Sequence, residues 1–91
     1  MKLQNPFTNL LRPQRITYLE LHGYNGCQYR LTSPRKTQSF SVEITRPGTK
    51  GSSVLTGFTK DFTDAEAFTR YLVETGARPE QLPHAAAVYF S

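Results

Sequence analysis

The stretch ITYLELHGYNGCQYRLT, residues 16–32, decides the fold. It reads as two β-strands, 16–22 and 28–32, around a turn that contains Asn25 and Gly26. Side chains alternate along a strand, so Cys27, Tyr29 and Leu31 share one face and Gln28, Arg30 and Thr32 the other. Parity selects the turn. A two-residue Asn25-Gly26 loop pairs Tyr24 with Cys27 and sets Glu20 and His22 beside Leu31 and Tyr29, mixing polar with apolar. A three-residue loop, Tyr24-Asn25-Gly26 with Gly26 left-handed, pairs Gly23 with Cys27, Leu21 with Tyr29 and Leu19 with Leu31. Only the second aligns the apolar faces, and it is the expected hairpin.

Downstream, residues 33–38 form a basic loop. Residues 39–45 alternate again, with Phe40, Val42 and Ile44 inward and Ser41, Glu43 and Thr45 outward. A Gly-rich basic loop, 46–52, leads to a strand over 53–59 with Val54, Thr56 and Phe58 on one side. The helix after it is well marked. Thr63 followed by Glu66 has the spacing of a capping box, with Asp64 at the positive end of the dipole. Ala65, Phe68 and Leu72 make an apolar stripe, Glu66, Arg70 and Glu74 a charged one. Gly76 ends the helix, and Pro79 follows. A turn over 79–83 and a returning strand over 85–90 complete the chain. The expected class is α+β: an antiparallel β-meander packed against one α-helix, in the order β-β-β-β-α-β. Residues 1–15 are expected as an irregular arm and 16–91 as a single domain. The expected core is Leu19, Leu21, Tyr29, Leu31, Phe40, Val42, Ile44, Phe58, Phe68, Leu72 and Val88.

Ninety-one residues with 37% apolar content, six Phe and five Tyr suffice for one thin core. The single cysteine excludes an intrachain disulfide, and small secreted domains are usually disulfide-stapled, so a reducing, cytoplasmic setting is expected. The opening MKLQNPFTNLLRPQR lacks the apolar run of a signal peptide, and no stretch approaches a membrane span.

Little in the sequence points to catalysis. His22, His84 and Cys27 lack the spacings of a zinc site. Cys27 with His22 has the residue types of a nucleophile and base, but Cys27 falls on the core face, where a small thiol packs inertly. The loop GTKGS, residues 48–52, lacks the GxxxxGK[ST] spacing and a following helix to face a phosphate. Asp61 and Asp64 are accounted for by the helix start. No enzyme activity, cofactor or metal is therefore expected.

Charge is the exception. Residues 1–50 carry eight basic side chains against Glu20 and Glu43, and residues 51–91 three against five acidic ones. The net charge of +4 thus conceals a basic first half, which suits an acidic partner. Arg30 on the second strand and Arg35, Lys36, Arg46 and Lys50 in the two loops are the expected partner-binding residues, although those loops lie at opposite ends of a meander.

Two resemblances bear on the partner. Residues 27–72, through the strands at 40–45 and 54–58 and the helix opening Phe62-Thr63-Asp64-Ala65-Glu66-Ala67, resemble the three-stranded-sheet-plus-helix DNA-binding domains of plant AP2 factors and some phage integrase arm-binding domains. That resemblance implies base reading from the sheet, with Arg30 and Arg46 as the nearest equivalents; the family's Trp residues are missing. The whole chain is similar in size and architecture to small phage-encoded inhibitors of the anti-CRISPR type. This implies docking on a protein or nucleoprotein complex without chemistry. The leading expectation is such an inhibitor or regulator, monomer or homodimer; the alternative is direct DNA or RNA binding through the sheet face and basic loops.

Overall fold

The computed structural model describes residues 15–34, 39–48 and 51–91. Four strands, β1 (Arg15–His22), β2 (Gln28–Pro34), β3 (Phe40–Thr45) and β4 (Ser52–Thr59), form an antiparallel meander in sequential order. Helix α1 (Phe62–Thr75) packs on one face of this open sheet. A short 3₁₀ turn, Pro79–Gln81, and helix α2 (Leu82–Tyr89) follow. The α+β class and the meander are as expected. Of the expected N-terminal arm, residues 1–14 lie outside the described residues and Arg15 opens β1.

The first hairpin has the expected register, with Leu21 opposite Tyr29 and Leu19 opposite Leu31. Gly26 N–H donates to Gly23 O (3.1 Å) and Gly23 N–H to Cys27 O (2.9 Å). Gly26 has φ 85°, the left-handed conformation that closes a three-residue loop. Beyond Leu19 the ladder slips by one residue, leaving Tyr18 as a bulge between Thr17 and Leu19.

The sheet's inner face is the core. Tyr29, Leu31, Val42 and Ile44 are fully buried beneath Ala65, Phe68 and Leu72 of α1. Leu19, Leu21 and Phe58 pack at its margin. Strand β4 departs from simple alternation. Val42 pairs with Leu55 but Phe40 with Thr59, so β4 carries two extra residues near Gly57, whose N–H donates to Ser41 Oγ (3.1 Å). Leu55 and Phe58, three apart, therefore both reach the core, while Val54 is exposed.

Two local expectations are corrected. Asp61, not Thr63, caps α1: its Oδ1 accepts from Thr63 N–H (2.8 Å), and Thr63 is the second helical residue. Asp at this position is at least as good a cap as Thr, and Glu66 is engaged elsewhere, by Arg70 (3.1 Å). Residues 85–90 are also not a strand. Three consecutive alanines favour helix, and Pro83 fits the first turn. Leu82, Ala85, Ala86 and Tyr89 fall on one face at helical spacing, where the first three pack on the core and Tyr89 meets Phe68. Val88 is 51% exposed, so it drops out of the core.

Helix α1 ends in a Schellman pattern: Ala77 N–H donates to Leu72 O (3.0 Å) and Gly76 N–H to Val73 O (3.1 Å), with Gly76 at φ 67°. The Asn25 side chain ties this terminus to the first hairpin. Its Nδ2 donates to Gly76 O (3.0 Å) and Tyr29 Oη (3.2 Å), and its Oδ1 accepts from Cys27 N–H (3.0 Å). The Tyr29 hydroxyl donates to Ala77 O (2.7 Å). Burial raises the Tyr29 phenol above its usual pKa; the Asn25 hydrogen bond opposes the rise and nearby Cys27 adds to it.

Candidate functional site

Arg30 stands at the centre of the sheet's outer face. Its cross-strand neighbours are Glu20 on β1 and Glu43 on β3. The guanidinium lies 3.8 Å from the Glu20 carboxylate, which also accepts from the Gln28 amide. The row Glu20–Arg30–Glu43 thus holds one cation between two anions. A shallow depression of about 510 Å³ adjoins it, lined by Thr17, Arg30, Thr32, Glu43 and Val54. Its floor is β-sheet, its charge is balanced, and Val54 offers an apolar edge.

Arg46 directly follows β3, at the end of that strand away from Phe40. Its guanidinium pairs with Glu80 (3.3 Å), which also accepts from Arg78 (3.2 Å). The Glu80 carboxyl is held below its ordinary pKa, first by its own backbone N–H and then by the two arginines. Arg70 of α1 pairs with Glu66. Of the cationic side chains described, Arg30, Arg46, Arg70 and Arg78 are ion-paired and Lys60 is not. Arg30 and Arg46 hold different carboxylates, Glu20 and Glu80. Arg35, Lys36 and Lys50 lie outside the described residues.

The candidate nucleophile and base are set apart by environment: Cys27 is 1% exposed in the core cluster, and His22 is exposed at the end of β1. His84 lines a cavity of about 240 Å³ between α1 and α2, with Tyr71, Thr75, Gln81 and Val88. Among the described residues, no three His, Cys, Asp or Glu side chains gather as a metal site would need. No helix among them is long and apolar enough to cross a membrane.

The aromatic organisation was not foreseen. Phe68 is the hub of a cluster in which Phe58, Tyr89 and Phe90 lie 4.9–5.4 Å from its ring centre. A second group, Tyr18, Phe40 and Phe62, gathers at the sheet end where α1 begins, with centroids 5.5–5.9 Å apart. The bulge that turns Tyr18 toward Phe40 breaks the alternation from which its side would be read. Comparison with protein-family models, curated proteins and solved structures returns no match.

Proposed function

We propose that the protein is a non-enzymatic binding protein, an inhibitor or regulator of the phage anti-CRISPR kind that docks on a protein or nucleoprotein complex. The supporting observation is the uneven charge and how the described arginines are paired. Residues 1–50 carry eight cations against Glu20 and Glu43, whereas residues 51–91 carry three against five anions. Arg30 pairs with Glu20, Arg46 and Arg78 with Glu80, and Arg70 with Glu66. Arg35, Lys36 and Lys50 supply the steering charge for an acidic partner, while Arg30 and Arg46 enter a complex only by exchanging a carboxylate they already hold.

Direct nucleic-acid binding by the sheet face fits less well, because Glu20 and Glu43 flank Arg30 and would lie against phosphate. The experiment is a capture from bacterial lysate with and without nuclease, followed by a salt titration of wild type and an Arg35→Glu/Lys36→Glu variant on the captured partner. The proposal expects a protein partner that survives nuclease and weaker binding on charge reversal. It also expects modest salt dependence, against roughly 10³–10⁵ in affinity lost between 50 and 200 mM salt for 6–10 phosphate contacts. Unchanged affinity after reversal would remove the basic loops from the site.

A further inference from the structure

Asn25 precedes Gly26, the neighbour that least hinders attack of a backbone nitrogen on an asparagine side chain. The side chain's orientation is fixed by its partners: the atom facing Cys27 N–H must be the oxygen, and the atom facing Gly76 O the amide nitrogen. The attacking group is engaged as well, since Gly26 N–H donates to Gly23 O. We propose that Asn25 is a deamidation site, held unreactive by this clamp in the folded protein, whose product cannot re-form the clamp.

In the step, Gly26 N gives its proton to hydroxide and its lone pair attacks Asn25 Cγ. The Cγ–Nδ2 bond breaks as Nδ2 takes a proton from water, which regenerates the hydroxide, and ammonia leaves as the succinimide ring closes. Water then adds to one ring carbonyl and opens it to aspartate or isoaspartate. Water is consumed, ammonia is released, and nothing is oxidised or reduced. The reaction requires Asn25 Cγ to swing onto Gly26 N, so it proceeds only when the turn opens. In the aspartate product a carboxylate oxygen replaces the amide donor. It then faces Gly76 O, an acceptor, and Tyr29 Oη, whose proton is committed to Ala77 O. Two attractive contacts become repulsive ones, and only the bond to Cys27 N–H survives. Opening of the turn thereby becomes a one-way loss of the tie between the hairpin and the end of α1.

The test follows Asn25 by peptide mass mapping in the full chain, folded and in urea, at mildly alkaline pH. Conversion in the folded protein should be at least about ten-fold slower than in urea, because four hydrogen bonds must break for the turn to open. Equal rates would overturn the clamp. Independently, Asn25→Asp should melt at least about 5 °C below wild type, or fail to fold. Refolding yield after urea should fall in step with conversion. An Asn25→Asp protein as stable as wild type, or full refolding despite complete conversion, would overturn the one-way character.

Discussion

The two faces of the sheet are built from the same strands under opposite rules. On the inner face Tyr29, Leu31, Val42 and Ile44 are closed off from water by α1, and the polar group among them, the Tyr29 hydroxyl, is satisfied by Asn25 and Ala77. On the outer face Glu20, Arg30 and Glu43 form a partly exposed charged row. The inner face can change little without loss of volume or of a buried hydrogen bond, whereas the charged row of the outer face contributes little to folding; the buried Thr32 and Ser41 beside it are structural, Ser41 holding the β4 bulge. Residues that specify a partner can therefore occupy the outer face and the loops at low cost in stability.

This contrast breaks most readily at Phe68, where removal of the ring empties the centre of an aromatic cluster. Phe68→Ala is expected to lower unfolding free energy by about 3–5 kcal/mol in urea melts. A loss below about 1 kcal/mol would mean that α2 and Phe90 do not seat on it. Tyr29→Phe is next. It keeps the ring but strands the buried Ala77 carbonyl, at about 1–3 kcal/mol. It also tests the phenol's titration. The folded pKa lies above the unfolded value of about 10, so the unfolded chain ionises first. Stability should be unaffected below that pH and decline as pH rises through the interval between the two values, and the phenylalanine variant should show a shallower alkaline decline.

The helix start provides a smaller and sharper test. Asp61→Ala should cost about 1 kcal/mol, whereas Thr63→Ala, which removes no cap, should cost less. The reverse order would return the cap to Thr63. Smallest of all is Arg30→Gln on the outer face, expected to change thermal stability by under about 0.5 kcal/mol, as exposed ion pairs do. A larger loss would give the exposed charged row a structural role.

Most of the sheet was legible because one constraint over-determined it. Turn length and apolar parity agree only if Gly26 is left-handed, and that agreement set the register of β1 and β2. The α1 stripe and Gly76 were equally plain. The end of the chain was misread because its Ala-Val-Tyr-Phe run has apolar residues at both β and helical spacing. The Leu82, Ala85, Ala86, Tyr89 period appears only if the count starts within the Pro-rich stretch 79–83, whose composition reads as a turn. The extra residues in β4 have no periodic signature, since a bulge appears only against its partner strand. Of the candidate site, the residue types were legible but their pairing was not. Arg46 and Glu80 are 34 positions apart and meet only because the turn after α1 returns beside β3.

The bulges at Tyr18 and near Gly57 lie in the two outermost strands, β1 and β4. An open sheet offers each outer strand as a template for a neighbouring molecule, but a strand bent by surplus residues presents a straight run on only part of its length. Colloidally, the protein is an open sheet with two poor templates. Concentrated solutions should resist fibrous growth, and a straightened β4 lacking two residues around Gly57 should lose that resistance, as read by light scattering against concentration.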